Sequence, residues 1–453
     1  MLSFEPALNV IPIELVSRKE FPNWLKSQSL KVKNLVKRAD FSAAANRYVE
    51  IADDNGCVER IIAGTGNNLT HQSVGALPTT LPVGDYQFTN APSEAAYNLG
   101  LGWGLGAYRF SDYKPNQKHA PRTLHMDPSH GAVSDEVETV ALVRDLINTP
   151  ASDMLPHHLE AAVRKVATKH DAELEVTLDK ALLKKGFRTI YTVGQASQSE
   201  PRLMDLRWGD AAHPKLTILG KGVCFDSGGL DLKSASNMRS MKKDMGGAAT
   251  ALGLADLIMR RQLPIRLRLL IPAVENAVGG NAYRPGDVIR TYKGLTVEIG
   301  NTDAEGRLIL CDALALAAEE KPRLMIDFAT LTGAARSAVG TEIAAMFANQ
   351  DDVAEGIALQ GSNCLDPVWR MPLHRSYRAG LRSPVADLCN IATFPEGGAI
   401  TAALFLESFI GKLPWVHFDI NAFNAKSRPG HPVGGEAMGM RATYRYIDQA
   451  FSA

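Results

Sequence analysis

The sequence of 453 residues has few cysteines, no net charge and no long apolar segment. Its 49 Lys and Arg residues cancel its 49 Asp and Glu residues, so no global field attracts nucleic acid or an anionic membrane. Five scattered cysteines without a C-x-x-C pair argue against a disulfide framework and favour a reducing compartment. No segment reaches the roughly 20 apolar residues of a membrane helix, and no basic leader segment opens the chain. We therefore expect a soluble, cytoplasmic protein.

Several common catalytic motifs are also missing. The sequence contains no H-E-x-x-H, no G-x-S-x-G and no Walker A loop, so the corresponding enzyme classes are disfavoured. The glycine-rich stretch 100–106 has no predicted strand before it. We interpret its glycines as points of close helix packing and not as a dinucleotide site.

The arrangement of apolar runs predicts two domains. In the segment 47–63, two β-rich runs flank Asn55-Gly56, a pair typical of a hairpin turn. Beyond a polar region near residue 130, short apolar strands alternate with helices, which is typical of a sheet covered on both faces. The predicted fold is α/β, with a smaller N-terminal α/β domain (1–130) and a C-terminal domain (131–453) built on a central mixed sheet flanked by helices. The predicted strands span 216–220, 266–273, 295–300, 324–330 and 415–420, and the predicted helices span 248–260, 308–319 and 400–410.

The octapeptide NTDAEGRL (301–308) contains the most concentrated chemistry in the sequence. Asp303 and Glu305 are two residues apart, so on an extended stretch after strand 295–300 their carboxylates point the same way. A helix that begins near Arg307 directs its free N–H groups toward this point, and the Arg307 guanidinium adds further donors. This predicts a pocket for a small oxyanion, such as bicarbonate or a substrate carboxylate. The alternative is a capped helix start with solvated acids.

A second block, residues 219–250, contains Lys221, Asp226, Lys233 and Asp244 among many glycines. If Asp226 and Asp244 converge with Asp303 and Glu305, four like charges repel one another unless cations neutralise them. Two divalent ions supply the required charge, and a carboxylate-rich ligand set without histidine favours Mn²⁺, Mg²⁺ or Zn²⁺. The lysines, taken alone, have an equally good interpretation as ion-pair partners.

These blocks resemble the leucyl aminopeptidase family, also called cytosol aminopeptidases, which are dinuclear metallopeptidases. The family signature NTDAEGRL is intact, and the patterns KG-x-x-FD-x-GG-x-x-x-K (221–233), M-x-x-DM-GGAA (241–249) and FATLTGA (328–334) match in the same order. The similarity covers about residues 135–453 and identifies the C-terminal domain as the catalytic one.

The resemblance implies two metal sites. The ligands of a tightly held ion would be Lys221, Asp226, Asp244 and Glu305, and those of a more exchangeable ion would be Asp226, Asp303 and Glu305. A lysine amine binds a metal only when it is neutral, so the pKa of Lys221 should be strongly lowered by the two adjacent dications.

The resemblance also implies catalytic roles for two cations. Lys233 would polarise the scissile carbonyl. Arg307 would hold a bicarbonate that acts as general base toward a water or hydroxide bridging the two metals. The implied reaction is removal of single residues from short peptides with a free N-terminus, because the tight-site metal and Asp244 would capture the free amine.

The remaining implications concern the substrate pocket and the assembly. The side-chain pocket would be lined by Met241, Thr330 and Gly333. Asn421 and Asn424 stand where family members often have Ala and Met, which argues against a strict preference for leucine. The family assembly would be a homohexamer, a dimer of trimers, and the first 130 residues would form a shortened, macro-like version of the family's N-terminal domain.

Two other functions are considered. A two-metal phosphoesterase would also use clustered carboxylates, but it gives no account of a ligating lysine or of NTDAEGRL. A DNA-binding regulatory role, known for some family members, would need a basic surface such as the run 31–38. We interpret that run as a solvated helix face, and no nucleic-acid or membrane partner is expected.

Overall fold

The structure, a computed structural model, describes residues 1–7, 9–114 and 120–452. It divides into two compact units. The first comprises Met1–Ala141 with Asn424–Val433, and the second comprises Leu142–Phe423 with Gly434–Ala453. No helix in the described ranges has the length and hydrophobicity needed to span a bilayer.

The first unit contains a six-stranded mixed sheet with the strand order β1-β6-β5-β2-β4-β3. Its strands are β1 (Leu2–Ser3), β2 (Ile11–Ser17), β3 (Tyr48–Ala52), β4 (Val58–Gly66), β5 (Gly84–Phe88) and β6 (Arg122–His125). Its helices are α1 (Phe21–Ser27), α2 (Leu30–Arg38), α3 (Leu77–Thr80) and α4 (Ala96–Ala107), with 3₁₀ turns at His71–Ser73, Ser93–Ala95 and Pro128–His130. Helix α5 (Val133–Asn148) begins in this unit and ends in the second.

Two predictions for this unit are confirmed. Strands β3 and β4 pair antiparallel, and Gly56 in their turn has φ +83°, a left-handed conformation that glycine adopts readily. The glycines of 100–106 lie in α4, where a Cβ added at Gly102 would be 1.9 Å from the His71 carbonyl oxygen. These glycines therefore permit close packing of the helix.

The second unit is built on a nine-stranded mixed sheet with the order β16-β15-β18-β14-β9-β11-β8-β7, and β10 pairs with β11. Its strands, with those of the smaller sheets, are β7 (Glu173–Leu178), β8 (Arg202–Trp208), β9 (Lys215–Gly220), β10 (Gly222–Asp226), β11 (Arg266–Asn276), β12 (Val288–Arg290), β13 (Thr296–Glu298), β14 (Leu324–Ala329), β15 (Ala344–Ala348), β16 (Val368–Arg370), β17 (Leu388–Cys389), β18 (Trp415–Asp419), β19 (Phe423–Asn424) and β20 (Gly434–Gly435). The predicted fold class, α/β with a central mixed sheet in the C-terminal domain, is confirmed.

Helices cover both faces of this sheet. They are α6 (Pro156–Lys169), α7 (Lys180–Lys185), α8 (Arg188–Gly194), α9 (Ala235–Met238), α10 (Gly246–Arg260), α11 (Glu305–Glu319), α12 (Gly333–Val339), α13 (Asp351–Asn363), α14 (Gly398–Ile410) and α15 (Met440–Phe451), with 3₁₀ segments at Ala151–Asp153, Met241–Met245 and Arg375–Leu381. The core between helices and sheet is apolar on both sides, which explains why its central strands read as continuous hydrophobic runs.

One predicted strand is wrong in extent and in place. Instead of 295–300 in the main sheet, β13 covers only Thr296–Glu298 and lies in a separate three-stranded sheet with β12 and β17. The strand ends there because the amides of Gly300 and Asn301 turn to the side-chain oxygen of Asn390, at 2.7 and 3.2 Å. The following helix begins at Glu305, three residues before the predicted span 308–319 and two before the start expected near Arg307.

A close contact between helix α10 and the sheet positions the residues before the helix. A Cβ added at Gly247, in the first turn, would be 2.2 Å from the Phe328 carbonyl oxygen at the end of β14. Only glycine allows this approach, and it brings Asp244, just before the helix, to the carboxyl edge of the sheet.

Candidate metal centre

The candidate site lies where neighbouring parallel strands end. Strands β9, β14 and β18 pair in parallel, so their carboxyl ends lie at one edge of the sheet. Lys221 directly follows β9, and Thr330 directly follows β14. Asp226 ends β10, which pairs in parallel with β11. Open α/β sheets place their functional sites at this edge.

Three predicted ligands converge there. Asp226, Asp244 and Glu305 are buried, and each offers a carboxylate oxygen within 4.8 Å of those of the other two. The Nζ atom of Lys221 lies 2.9 Å from Asp244 Oδ2 and 2.9 Å from Glu305 Oε1, and it donates to the Thr330 carbonyl at 3.0 Å. The two distant sequence blocks thus form one cluster of three carboxylates and a lysine.

Asp303 and Lys233 form the outer part of this cluster. Lys233 Nζ lies 2.8 Å from Asp226 Oδ2 and also contacts the Asp303 carboxylate. The sequence placed Asp303 and Glu305 on one extended stretch, with both carboxylates pointing the same way. This geometry is wrong, because Glu305 is already the first residue of helix α11. Asp303 therefore contacts Lys233, and Glu305 contacts Lys221.

Sequence reasoning missed the residues that hold Asp226 in place. Asn276 Nδ2 donates to Asp226 Oδ1 at 2.8 Å, and the Gly228 amide donates to the same oxygen at 2.8 Å. Asn276 also reaches the Thr302 carbonyl, which accepts the Tyr283 hydroxyl at 2.6 Å. Asn276 could have been identified from its position at the carboxyl end of strand β11, but the strand predicted from the sequence ended at residue 273.

The electrostatics of the cluster suit a bound cation. Burial, reinforced by the neighbouring carboxylates, raises the pKa of Glu305 to about 7 and that of Asp303 to about 7, and also raises the pKa of Asp244. The buried oxygen Glu305 Oε2 receives no hydrogen bond from the described residues, and Asp244 Oδ2 has Lys221 Nζ, at 2.9 Å, as its partner. Buried carboxylate oxygens in a repulsive cluster, one of them without a hydrogen bond, are a ligand set for hard or borderline divalent ions.

The two lysines are cationic when only protein groups are considered. Burial by itself lowers the pKa of Lys221, but Asp244, Glu305 and Asp226 outweigh burial and raise it above its ordinary value. Burial likewise lowers the pKa of Lys233, but Asp226 and Asp303 outweigh burial and raise it above its ordinary value. The lowered pKa predicted for Lys221 therefore depends entirely on the charge of bound metal ions.

Arg307 is brought near the cluster but not to the wall of its cavity. It is buried in the first turn of α11, and its Nη1 donates to the Asn390 carbonyl at 2.6 Å. Burial lowers its pKa to about 10, opposed by Glu305 and Asp419, so the guanidinium is charged at neutral pH. Its Nε has no hydrogen-bond partner among the described residues, which leaves a buried donor for a further acceptor.

A cavity of about 370 Å³ opens onto the cluster. The residues predicted for the side-chain pocket, which are Met241, Thr330 and Gly333, line the cavity wall. Asn421 also lines it, and Asn424 does not. The sequence analysis did not single out two basic residues in the same wall, Lys243 and Arg336. Burial lowers the pKa of Lys243 to about 8, opposed by Asp244. Lys243 could have been identified from the M-x-x-DM pattern, because it directly precedes Asp244.

Together the sheet edge, the carboxylates and the buried lysine define a metal-binding hydrolase centre in an α/β domain. Residues 141–444 match the profile of the "Cytosol aminopeptidase family, catalytic domain", and residues 11–126 match that of the "M17 aminopeptidase, N-terminal domain". The chain belongs to the cytosol aminopeptidase family, whose members are metal-dependent aminopeptidases. The resemblance inferred from the sequence motifs is confirmed.

Relatives support this assignment over most of the chain. A probable cytosol aminopeptidase of Roseiflexus castenholzii is 38% identical over 369 residues, which are 77% of this chain and 75% of the relative. A crystal structure of cytosol aminopeptidase from Coxiella burnetii has a TM-score of 0.95 and 46% identity, covering 99% of both chains. The bottromycin maturation enzyme BotP, solved in complex with Mn, has a TM-score of 0.88 and 29% identity, covering 97% of this chain and 99% of BotP.

Proposed function

We propose that this protein is an aminopeptidase that uses two divalent metal ions to release single N-terminal residues from short peptides with a free amine. The observation that carries the proposal is the convergence of Asp226, Asp244 and Glu305 within 4.8 Å, with Lys221 Nζ between two of them. Neither a phosphoesterase nor a DNA-binding role accounts for a lysine placed among the ligands.

The donor set supports a pair of ions. One ion would be held by Lys221, Asp226, Asp244 and Glu305, and the other by Asp226, Asp303 and Glu305. When bound, divalent ions supply Lewis acidity for the carbonyl and lower the pKa of a water molecule, so that it attacks at neutral pH. Mn²⁺ and Zn²⁺ are the leading candidates, with Mg²⁺ as the third, and Mn is bound by the related BotP.

The protein's own groups divide the remaining work. Lys233 is half-buried and cationic, so its ammonium can donate to the scissile carbonyl oxygen as negative charge develops there. The Asp244 carboxylate, fixed by a 2.7 Å bond from the Thr330 hydroxyl, would accept the free α-amine of the substrate. Arg307, with its remaining donors, would hold a bicarbonate as the general base. The amine anchor explains why only N-terminal residues would be released.

Activity assays on blocked and unblocked substrates test this proposal. Protein loaded with Mn²⁺ or Zn²⁺ should hydrolyse aminoacyl anilides and free dipeptides, and it should leave their N-acetylated counterparts intact. Equal rates on blocked and unblocked substrates would contradict the amine anchor.

Two variants test the assigned roles. Lys233→Met should keep its metal content and lose about 10²–10³-fold in kcat, because a donor to the developing oxyanion is removed. Asp303→Ala should lose metal as well as activity. Elemental analysis and initial rates provide the measurements, with Lys184→Met, an exposed lysine in α7 outside the cavity, as control. A fully active Asp303→Ala variant would end the two-metal proposal.

A further inference from the structure

The wall of the cavity contains two basic side chains where the predicted side-chain pocket lies. Met241, Thr330 and Gly333, the residues assigned to that pocket by the proposed function, line the cavity together with Lys243 and Arg336. An apolar N-terminal residue would gain nothing from cations in its pocket. The charge of this wall therefore bears on the choice of substrate.

Contacts with Asn421 hold the Lys243 side chain in the cavity wall. It lies in the 3₁₀ segment Met241–Met245 and is only 7% exposed. Its Nζ donates to the Asn421 backbone oxygen at 2.9 Å and approaches the Asn421 side-chain oxygen at 3.3 Å. Both partners are neutral, and Lys243 forms no ion pair with any residue that the structure describes. One of its three N–H donors is left for a further acceptor.

Arg336 reaches the same wall from helix α12. Its Nη2 lies 3.8 Å from the position of a Cβ added at Gly333, so the guanidinium folds back over the first turn of its own helix. The side chain is exposed, and within the described chain it makes neither a hydrogen bond nor an ion pair. Its planar donor fork matches the geometry of a carboxylate.

The carboxylates that line the cavity are already engaged by other groups. Asp419 accepts the amides of Leu331 and Thr332, each at 3.0 Å, and also the Thr332 hydroxyl. Asp231 accepts the Thr302 amide at 2.7 Å, and Asp303 pairs with Lys233. Among the described residues, no acid forms a hydrogen bond or an ion pair with Lys243 or Arg336, and Asp244 and Asp419 act on Lys243 only through space.

We propose that Lys243 and Arg336 form an anion-accepting end of the side-chain pocket, and that the enzyme prefers peptides whose N-terminal residue is Asp or Glu. A side-chain carboxylate would accept from the free N–H of Lys243 and from the guanidinium fork of Arg336. A buried cation without a counter-ion is costly to maintain, and a substrate carboxylate removes that cost. Lys or Arg at the substrate's N-terminus would be repelled by the same pair. This inference rests on the proposed aminopeptidase function.

Matched substrates separate the contribution of charge from that of size. We would measure kcat/KM for Glu and Gln anilides, and for Leu anilide, with the Mn²⁺-loaded full-length protein. The wild type should favour Glu over Gln by roughly tenfold or more, because the two side chains differ in charge and hardly in shape. Arg336→Gln and Lys243→Met should each lower the Glu-to-Gln ratio about tenfold, and because a ratio is compared, a general change in activity on Leu anilide does not affect the test.

The controls match each variant in chemistry. Arg188→Gln and Lys184→Met change exposed residues of α8 and α7 that do not line the cavity, and they should preserve the wild-type ratio. Arg336 is exposed, so Arg336→Gln keeps the test valid if the buried Lys243→Met variant does not fold.

The outcomes distinguish the preference for an acidic N-terminal residue from the aminopeptidase function on which it rests. A Glu-to-Gln ratio at or below one, or a ratio unchanged in folded Arg336→Gln, would overturn the inference and leave the aminopeptidase function standing. No activity on any unblocked anilide, with metal bound, would overturn the proposed function and this inference with it.

Discussion

Gly306 shows how a single residue without a side chain shapes the metal centre. It follows Glu305 in the first turn of α11, and a Cβ added there would be 2.6 Å from Lys221 Cε and 2.7 Å from Lys221 Nζ. Real Cβ atoms do not approach so closely, so any larger residue must displace the lysine. The glycine of NTDAEGRL therefore leaves the space in which the Lys221 amine reaches Asp244 and Glu305.

We expect Gly306→Ala to fold but to bind metal poorly. Displacement of Lys221 removes one of the proposed ligands and leaves Asp244 and Glu305 without their shared partner, so bound metal and kcat/KM should each fall at least about tenfold. Elemental analysis after dialysis and rates on an unblocked anilide provide the measurement. Gly280→Ala is the matched control, since a Cβ added there meets no atom within 4 Å. Full metal content in Gly306→Ala would show that Lys221 is not a ligand.

At this scale the sequence predicted the residues better than their geometry. Asp226, Asp244 and Glu305 converge as expected, because motifs fix residue types at the ends of strands. Lys243 and Asn276 were not singled out, because their roles depend on contacts with residues far away in the chain, Asn421 and Asp226. No local pattern specifies such partners.

Among the secondary-structure elements, the parallel strands β14 and β18 depend on a buried polar contact as well as on apolar packing. The Asp327 carboxylate of β14 accepts Trp415 Nε1 at 2.7 Å and lies 2.6 Å from His417 Nδ1, both in β18. All three side chains are fully buried. Burial lowers the pKa of His417, but Asp327 outweighs it and raises the pKa above its ordinary value. The Asp327 carboxylate therefore favours the protonated form of the buried imidazole.

Asp327→Ala should destabilise the second unit strongly. Removal of the carboxylate leaves a buried imidazole and an indole N–H without their acceptor, at a cost of about 3–5 kcal/mol in the free energy of unfolding. Chemical denaturation followed by tryptophan fluorescence measures this change, because Trp415 lies at the site. Asp112→Ala removes an exposed carboxylate and should change the free energy by less than about 0.5 kcal/mol. A loss below about 1 kcal/mol for Asp327→Ala would mean that the contact contributes little.

Most of the elements that were predicted for the catalytic unit match those in the structure, and the exception has a physical reason. The buried strands β9, β14 and β18 and the helices α10 and α14 fall within a few residues of the prediction. The run 295–300 was predicted from the same kind of short β-forming pattern, yet it pairs in a small separate sheet. Its register is decided by partners around Leu388 and Asn390, which a local pattern does not contain.

At the scale of the whole molecule, the chain leaves the second unit, returns to the first unit and then re-enters the second. The segment Asn424–Val433 belongs to the first unit, although nearly 300 residues of the second unit precede it. The sequence analysis divided the chain once, near residue 130, because composition changes only there. The homohexamer implied by the family resemblance and the cytoplasmic location expected from the composition also belong to this scale, and both stay predictions.

The returning segment is held in the first unit by backbone contacts at Gly75. The Gly430 amide donates to the Gly75 carbonyl at 3.3 Å, and a Cβ added at Gly75 would be 2.6 Å from the Gly430 nitrogen. Because backbone atoms cannot swing aside as a side chain does, Gly75→Ala should push the segment outward. We expect trypsin to cut the folded variant faster than the wild type at Lys426, which is exposed; Arg428 precedes Pro429 and is not a tryptic site. Mass spectrometry of the early fragments identifies the cut, and Lys412, exposed after helix α14, gives the reference rate within the same molecule. If cleavage at Lys426 keeps the wild-type rate relative to Lys412, the segment is not held by this contact.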